Sequence, residues 1–340
     1  MTRIDLSAVT RWITVAADQH PSELCAAIEQ RLGVSRRRAR RVLDQLVALQ
    51  WLHRGGTRRR PLFRPGTLRQ VVQRYELPDV QEDLAWSRDF APYLELPEAV
   101  ARLARHALTE LVNNAAEHSG GTQVTVSVRQ TPTNVQLLVS DDGCGLFERI
   151  GSHHRIATPA LAMLELGKGK LTSQPARHTG RGLYFTARVA DVLDLHANET
   201  AFQHRAWQPH QWQPVRPAAR RGTSVFAAFA LDSQRSIDAA LREHSLEDSG
   251  YAFERTRVAL QLLGAAEQVL ESRAQARRVS ARLAEFRRAE IDFEGIAEVG
   301  HSFADELFRV FAAEQPALEL VPLGMSPRVA EMLASVRAAA

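Results

Sequence analysis

The sequence predicts a multidomain α/β protein in which a small helical module precedes two larger α/β parts. Its 340 residues, 45% of them apolar, can form two or three separate hydrophobic cores. Strand-like and helix-like patterns alternate through most of the chain after residue 97, as they do in α/β domains. Charge is unevenly distributed, because residues 1–70 carry a net charge of +9 and the other 270 residues carry −5.

Residues 1–70 have the pattern of two helices followed by a hairpin. PSELCAAIEQRLGV predicts a first helix, which Gly33 ends, and Ser35 is a suitable N-cap for the second. The second helix places apolar side chains on one face: Ala39, Val42, Leu43, Leu46 and Val47. Its other face carries arginines: Arg36, Arg37, Arg38, Arg40 and Arg41. A Gly-Gly turn between two short extended pieces follows, with three arginines at its tip: Arg58, Arg59 and Arg60.

This order of elements resembles a winged helix-turn-helix, and the resemblance implies that residues 1–70 bind double-stranded DNA. The arginine-rich helix would enter the major groove, and the basic hairpin would contact phosphates or the minor groove. Arginine suits both tasks, because its guanidinium pairs with guanine edges and with phosphate oxygens. Two alternatives stay open: a charged helical hairpin that binds a partner protein, and a module that binds RNA.

Residues 71–96 predict a helical connector. The segment is neither low in complexity nor rich in glycine and serine. It contains Trp86, Phe90 and Tyr93, and large aromatic side chains are uncommon in free linkers. We therefore expect the connector to pack on the domain that follows and to couple that domain mechanically to the N-terminal module.

The string ALTELVNNAAEHS predicts an amphipathic helix that carries two chemically useful groups. Its apolar or small residues recur at helical spacing: Ala107, Leu108, Leu111, Val112 and Ala115. Glu110 and Asn114 are four residues apart, so both side chains project from the same face. Glu110 can polarise a water or hydroxyl, and Asn114 can complete a Mg²⁺ shell. On an isolated helix, the same pair is typical of a solvated polar stripe.

Three further strings follow this helix. VTVSVRQ and VQLLVSDD predict strands that bring Asp141 to a strand end, where its carboxylate can accept from an adenine amine. Gly143 and Gly145 let the backbone approach the base. HTGRGLYFTARVAD predicts a helix that opens with Gly180 and Gly182, so that free backbone N–H groups can face phosphate. RRGTSVFAAFAL predicts a strand that is entered through a glycine and a small hydroxyl.

The four strings span 115 residues and together resemble the GHKL ATPase family, which includes gyrase, heat-shock ATPase chaperones, histidine kinases and MutL. The resemblance implies a Bergerat-type α/β sandwich over residues 97–235 that binds ATP and Mg²⁺. It also implies a set of nucleotide contacts: Asn114, Asp141, Gly143, Gly145, Lys168, Lys170, Thr179, Gly180, Gly182, Leu183 and Thr223. Glu110 is the predicted catalytic residue, and Asn114 is the predicted Mg²⁺ ligand.

Residues 147–179 are too long for an ordinary connection, and by the same resemblance they form a lid over ATP. The chain has 41 arginines and only two lysines, Lys168 and Lys170, and both lie in this segment. A compact ammonium suits a phosphate chain, so both are predicted phosphate ligands. A basic, solvated loop is the alternative. Three histidines of the region are interpreted as polar loop residues: His153, His154 and His178.

Residues 251–340 alternate strand and helix patterns, with VALQLLG as the first strand, and predict a small α/β domain. The string IDFEGIAEVGHSFADELFRVF resembles the STAS fold of anti-anti-sigma factors, in particular the STAS-like domain found behind GHKL domains. Asp292 and Gly295 match the end of a strand in that fold, and Ser302 lies at the position of a phosphorylated serine. Alternatively, Ser302 caps the helix that follows, with Asp305 at its third position.

Three functions stay open on the sequence alone. The first is a transcription regulator that binds ATP and DNA, in which ATP, slowly hydrolysed, controls binding to DNA or a partner. The second is a protein serine kinase of the anti-sigma type, in which Glu110 activates Ser302 or a partner's serine. The third is a non-catalytic scaffold that binds ATP. A histidine kinase is not favoured, because His106 lies on the pocket helix itself. The charge asymmetry favours the first function.

The remaining expectations concern location and partners. No apolar run reaches the roughly 18 residues that span a bilayer, and the N-terminus does not resemble a signal peptide. Cys25 and Cys144 are too few for a disulfide framework or a zinc site. We therefore expect a cytoplasmic protein that does not bind membranes. By analogy with its relatives, it forms a homodimer and binds a protein partner through the STAS-like domain.

Overall fold

A computed structural model of the chain describes residues 4–77, 79–172, 180–246, 251–264 and 269–338. The chain forms two compact units. The first unit is made of three segments: Met1–Cys144, Ala190–Leu195 and Arg221–Gln234. The second unit is made of the other three segments: Gly145–Val189, His196–Arg220 and Arg235–Ala340.

Helices and strands alternate through most of the described residues. In chain order the α-helices are α1 (Leu6–Gln19), α2 (Leu24–Leu32), α3 (Arg36–Ala48), α4 (Glu82–Leu84), α5 (Glu98–His118), α6 (Leu146–His154), α7 (Pro159–Lys168), α8 (Gly182–Val189), α9 (Ile237–Glu243), α10 (Gln261–Gly264), α11 (Arg273–Ser280), α12 (His301–Asp305), α13 (Phe311–Glu314) and α14 (Pro327–Ala338). The strands are β1 (Leu52–Gly56), β2 (Pro61–Pro65), β3 (Arg69–Glu76), β4 (Gln123–Gln130), β5 (Asn134–Asp141), β6 (Val192–Ala197), β7 (Thr200–Arg205), β8 (Gln208–Pro214), β9 (Thr223–Ala230), β10 (Arg255–Ala259), β11 (Arg288–Asp292) and β12 (Glu319–Leu323). Shorter π- or 3₁₀-helical turns lie at Ala85–Phe90, Ala91–Tyr93, Leu283–Glu285 and Glu306–Val310. Within the described residues, none of these helices has the length and apolar character needed to cross a bilayer.

The N-terminal module of the first unit consists of α1, α2 and α3 and the antiparallel hairpin β1-β2. One apolar core joins these elements: Val9, Ile13, Leu24, Ile28, Val42, Leu43, Leu46, Trp51, Leu52 and Phe63. The predicted helix α3 and the predicted hairpin are both confirmed. Ser35 occupies the N-cap position of α3, but its side chain makes no capping hydrogen bond.

Residues 6–19 form α1, an element that the sequence analysis does not predict. Val9, Ile13 and Ala17 recur every four residues and are all buried, so one face of this helix is apolar. Asp5 caps the helix, because its Oδ1 accepts the Ser7 N–H at 2.9 Å. The helix packs on β2 of its own module and on β3, so it joins the N-terminal module to the rest of the first unit.

The predicted helical connector over residues 71–96 is wrong in its first part. The chain there forms β3, which pairs antiparallel with β4 along its whole length. Its β-branched and aromatic residues favour a strand, and buried and half-buried positions alternate over its first half. Helical turns do follow, and they bury Trp86 and Phe90. This segment is therefore a sheet edge followed by a short packed helical turn.

The sheet of the first unit positions the motif residues. Its strands follow the order β3-β4-β5-β9-β6, and α5 packs on β5 and β9. The five positions predicted to be buried on α5 are confirmed: Ala107, Leu108, Leu111, Val112 and Ala115. The end of β5 lies beside the start of β9, since Ser140 pairs with Ser224 in the antiparallel register. Two of the predicted motifs are therefore adjacent.

The second unit contains the predicted lid and the C-terminal part. Within the described residues, most of the lid is helical, as α6 and α7, rather than a loop. Thr158 caps α7, and α7 packs against β10 and α10 of the C-terminal part. The C-terminal strands form a parallel sheet in the order β10-β11-β12. The predicted strand VALQLLG is confirmed only to Ala259, because Gln261–Gly264 turns into α10.

The interpretation of Ser302 as a helix N-cap is wrong. Helix α12 begins at His301, and Gly300 occupies the N-cap position. Ser302 therefore lies within the first turn, where it is exposed. Asp305 is not used in a capping box, because its carboxylate pairs with Arg309, one turn later, at 2.9 Å.

His204, on the β7-β8 hairpin of the second unit, is a buried group that we expect to make the fold sensitive to acid. Its imidazole is buried beside Trp212, with the ring centroids 5.4 Å apart. Burial, and after it the positive charges of Arg188 and Arg205, lowers the pKa of His204 from 6.5 to about 4. Between these pH values the unfolded chain binds more protons than the folded chain. Stability is therefore present above pH 6.5 and is lost as the pH falls towards 4.

Through this group, we expect the free energy of unfolding to fall by up to about 3 kcal/mol between neutral pH and pH 4. His204→Phe should remove most of that loss, because Phe preserves a ring beside Trp212 and binds no proton. Urea unfolding at about pH 7 and about pH 5 measures the difference, with the exposed His153→Phe as the control. An unchanged pH dependence in His204→Phe would assign the acid sensitivity to another group.

Candidate functional site

Asp141 joins two of the predicted motifs in the first unit. It is the last residue of β5 and is 5% exposed. Its Oδ1 accepts the backbone N–H of Gly143 at 2.9 Å and that of Thr223 at 3.1 Å. The carboxylate therefore fixes the turn after β5 and the start of β9 together. A carboxylate has further acceptor positions, so the same group can also accept from an exocyclic amine of a purine.

The backbone around Asp141 is too closely packed for side chains at two glycine positions. A Cβ on Gly222, where φ is +90°, would lie 2.2 Å from the carbonyl oxygen of Asp141. A Cβ on Gly143 would lie 2.2 Å from the carbonyl oxygen of Ser119, at the end of α5. These contacts bring the ends of α5 and β5 and the start of β9 together as one cradle. Sequence reasoning did not single out Ser119, which has no motif of its own.

The neighbouring Asp142 has a different role. Its carboxylate accepts the hydroxyl of Thr122 at 2.6 Å, the Thr122 N–H at 2.7 Å and the Gln123 N–H at 3.0 Å. These bonds, led by that of the Thr122 hydroxyl, lower the pKa of Asp142 to about 2. Asp142 is exposed and fastens the start of β4, whereas Asp141 is buried in the cradle.

Glu110 and Asn114 lie one turn apart on α5, as their spacing predicts. Both are half-buried, next to the buried positions Ala107 and Leu111 of the same helix. A half-buried carboxylate and a half-buried amide differ from a fully solvated polar stripe. The pair therefore has the partial burial expected of groups that act on a ligand.

The other predicted nucleotide contacts belong to the second unit. Gly145 occupies the N-cap position of α6. Gly180 has a left-handed backbone conformation and precedes α8, which begins at Gly182. Leu183, in the first turn of that helix, is half-buried. Two residues named in the sequence analysis lie outside the described residues: His178 and Thr179.

Both lid lysines are bonded to the C-terminal part of the second unit. The side chain of Lys168 is fully buried, and its Nζ donates to Glu165 and, at 2.7 Å, to the carbonyl oxygen of Ala281. The Nζ of Lys170 donates to the carbonyl oxygen of Glu285. Burial lowers the pKa of both lysines. The solvated-loop interpretation is therefore wrong for these lysines, and phosphate binding by them stays a prediction.

The predicted DNA-binding arginines lie on two surfaces of the N-terminal module. On α3, Arg38 is half-buried. The other four arginines of this helix are exposed: Arg36, Arg37, Arg40 and Arg41. The other three are exposed at the tip of the β1-β2 hairpin: Arg58, Arg59 and Arg60. Backbone hydrogen bonds of 3.1 Å between Thr57 and Arg60 close that tip.

The predicted strand end of the C-terminal part is confirmed. Asp292 is the last residue of β11 and is buried. Its carboxylate pairs with Arg257 at 3.0 Å and accepts the Glu294 N–H at 3.0 Å. Gly295 follows in the left-handed conformation. Asp292 therefore fixes the turn after β11.

Comparison with known families covers two of the three parts. Residues 99–232 match the family described as histidine kinase-, DNA gyrase B-, and HSP90-like ATPase. Residues 275–330 match a STAS-like domain of unknown function. Among curated proteins, none matches the chain. The chain therefore contains a GHKL-type ATPase domain over residues 99–232 and a STAS-like domain over residues 275–330.

Proposed function

We propose that the protein is a transcription regulator in which Mg-ATP, bound by the GHKL-type domain, controls binding to double-stranded DNA. The match to the ATPase family supports the nucleotide. The arginine surfaces of α3 and the β1-β2 hairpin support DNA as the partner, because a basic helix followed by a basic hairpin fits a groove and its flanking phosphates.

The cradle around Asp141 fits the adenine end of ATP. A buried carboxylate that already accepts two backbone N–H groups offers further acceptor positions for an amine. The cradle has glycines at positions 143 and 222, where the close backbone packing leaves no room for a side chain. No side chain from these two positions would therefore stand in the way of a base. ATP bound there would supply a transferable phosphoryl group, and Glu110 on α5 would activate the water or hydroxyl that accepts it.

Asn114 fits a Mg²⁺ ion that is held mainly by phosphates and water. Among the described residues, no group of three or more His, Cys, Asp or Glu side chains has metal-binding geometry. Mg²⁺ commonly keeps several waters and takes only one or two protein ligands beside substrate phosphates. One amide oxygen from α5 therefore matches this mode of binding, in which the metal would offset phosphate charge.

The observation that carries the proposal is the packing of the N-terminal module on the sheet that bears Asp141. The fully buried hydroxyl of Thr14, on α1, accepts the N–H of Gln70, on β3, at 3.0 Å. The guanidinium of Arg129, on β4, lies 5.3 Å from the ring centroid of Trp51, next to the hairpin. Because β5 is the next strand after β4, the N-terminal module packs against the same sheet that carries the cradle at the end of β5.

The test is DNA binding by the pure protein with no nucleotide, with ADP and with a non-hydrolysable ATP analogue. ATP can shift DNA affinity only by the difference in its own affinity for the two states of the protein. We expect the analogue to change the dissociation constant for DNA on the order of tenfold, within the usual range of such coupling. Identical binding curves under all three conditions would contradict the proposal.

Glu110→Ala should separate nucleotide binding from turnover. As a general base, Glu110 would polarise a water or hydroxyl and would not contact the adenine base, so its loss should leave ATP affinity within about threefold of wild type. Phosphate release should fall on the order of 100-fold, the usual contribution of a general base. Calorimetry and a phosphate-release assay measure the two quantities separately. A variant that fails to bind ATP would show that Glu110 is a binding residue.

A serine kinase is the second candidate, and the exposure of Ser302 is the observation that favours it. The hydroxyl of Ser302, in the first turn of α12, is exposed, as a phosphorylated side chain must be. The phosphate-release assay also tests this function. Transfer of label from ATP to the protein, lost in Ser302→Ala, would support the kinase, and free phosphate alone would contradict autophosphorylation at Ser302.

A further inference from the structure

Residues 165–170 of the lid are held by one loop of the C-terminal part, residues 281–286. Lys168 reaches the carbonyl oxygen of Ala281, and Lys170 reaches that of Glu285. In the opposite direction, the guanidinium of Arg282 donates to the carbonyl oxygen of Gly169 at 3.1 Å. Donors and acceptors therefore come from both sides, and we name this set of contacts the latch.

Ion pairs compensate the buried charges of the latch. Glu165, 5% exposed on α7, pairs with Lys168 on its own helix and with Arg282 at 3.3 Å. Arg282 pairs in turn with Glu285 at 3.0 Å. Two cations and two carboxylates thus compensate one another, which is required when charged groups are buried.

Gly169 gives the lid its fit on the C-terminal part. Its φ is +78°, and a Cβ at this position would lie 2.4 Å from the ring of Phe253. The hydroxyl of Thr256, fully buried on β10, donates to the carbonyl oxygen of Lys168 at 2.7 Å. The ammonium of Lys170 lies 4.3 Å from the ring centroid of Phe286. Gly169 and both lysines of the lid sequence GKGK therefore fit closely against β10 and the two phenylalanine rings of the C-terminal part.

A lysine ammonium has three N–H donors, so burial, and not the number of donors, keeps a phosphate from Lys168 while the latch is closed. Lys168 is fully enclosed by its partners, so any phosphate contact requires the latch to open. Arg282 has a φ of +61°, a conformation that costs free energy for a residue other than glycine and that its contacts with the lid offset. Opening would release that backbone strain.

We propose that loop 281–286 of the C-terminal part competes with the phosphates of ATP for Lys168 and Lys170, so that the STAS-like domain restrains the lid until ATP displaces it. This inference rests on the proposed ATP binding of the GHKL-type domain and adds its regulation. It also gives the STAS-like domain a function within the chain. A partner that binds loop 281–286 would favour the open lid in the same way as ATP.

The first test follows the latch itself by hydrogen exchange. The non-hydrolysable ATP analogue should speed amide exchange in loop 281–286 of the wild-type protein, whereas ADP should do so less. Arg282→Ala should speed exchange in residues 165–170 without nucleotide, on the order of tenfold, because the carbonyl of Gly169 and the carboxylate of Glu165 lose a partner. Arg328→Ala is the matched control, since Arg328 pairs with Glu298 on an exposed surface.

The second test measures nucleotide affinity in the full-length variants. A protein whose binding-competent state is only partly populated binds more weakly by that fraction, so Arg282→Ala should bind ATP on the order of tenfold more tightly than wild type. ADP affinity should change less. Adding Lys168→Ala and Lys170→Ala to Arg282→Ala should remove the gain. Thr256→Val removes the hydrogen bond from β10 to the carbonyl oxygen of Lys168. It provides a second variant for the same affinity measurement if Arg282→Ala does not fold.

The outcomes separate this inference from the proposed function. Equal ATP affinity in wild type, Arg282→Ala and Arg328→Ala would overturn competition by the latch while leaving ATP binding intact. Unchanged exchange in loop 281–286 on addition of the analogue would overturn it as well. If none of these proteins binds ATP or ADP, the proposed function itself fails.

Discussion

Asp141→Asn is expected to abolish measurable ATP binding while leaving the fold intact. The side-chain oxygen of Asn can still accept the N–H groups of Gly143 and Thr223, so the turn after β5 is preserved. The nitrogen that replaces the other carboxylate oxygen is a donor, and a donor cannot accept from an adenine amine. At a site that is 5% exposed, losing a charge-assisted bond and creating this mismatch should lower affinity on the order of 100-fold or more.

The control for this prediction is Asp142→Asn, the same change one residue later. Asp142 is exposed, and its bonds go to Thr122 and Gln123, so its variant should retain ATP affinity with only a small loss of stability. Calorimetric titration with a non-hydrolysable analogue and thermal unfolding of both variants measure the two effects. Wild-type affinity in Asp141→Asn would exclude Asp141 as the adenine acceptor.

Local patterns predict the elements that carry this site. Helix α5 has apolar residues at helical spacing, and β5 and β9 are runs of β-branched and aromatic residues, so each element follows from its own residues. The glycines after β5 and before β9 indicate turns, as the structure confirms. The patterns do not predict that the carboxylate of Asp141 bonds to both turns and so joins them.

Non-local pairing explains the elements that the sequence predicts incorrectly. Strand β3 is a strand because it pairs with β4, which begins 54 residues after the first residue of β3. The aromatic residues that follow, Trp86 and Phe90, indicate a packed segment but do not distinguish a helix from a sheet edge. Tertiary context decides such segments more than intrinsic propensity does. The prediction is correct for the packing and for the helical turns that begin at Glu82, and it is incorrect for the first residues, which belong to β3.

The lid lysines show how far composition alone can lead. The chain has only two lysines beside 41 arginines, which indicates that these lysines have a specific role. The full burial of Lys168 agrees with such a role. Composition cannot say which acceptor an ammonium meets. The carbonyl oxygens that bind Lys168 and Lys170 lie 113 and 115 residues later in the chain, in a loop without any motif. Only the three-dimensional structure brings the two segments together.

Neutralising the tip of the hairpin, by Arg58→Gln, Arg59→Gln and Arg60→Gln together, is expected to weaken binding to every DNA sequence on the order of 100-fold at about 0.1 M salt. The three guanidiniums are exposed at a closed turn and carry no buried packing, so the fold should be unaffected. The slope of log affinity against log salt should flatten by about three, because three fewer counterions are released. Gel-shift titrations over a range of salt concentrations measure both quantities.

A change on α3 should have a different signature, and this contrast tests the module as a DNA reader. Arg37→Ala or Arg41→Ala should cost about 1 to 3 kcal/mol on the preferred site and much less on other sequences, because a helix in the major groove reads base edges. Arg102→Gln, an exposed arginine of α5 that pairs with Glu98, is the control and should change neither affinity nor salt dependence. A uniform loss from the α3 variants, with an unchanged salt slope from the hairpin variant, would instead favour a charged surface that binds a partner protein. Because the module packs on β3 and β4, the effect of the ATP analogue on DNA affinity should persist in Arg102→Gln and disappear in Asp141→Asn.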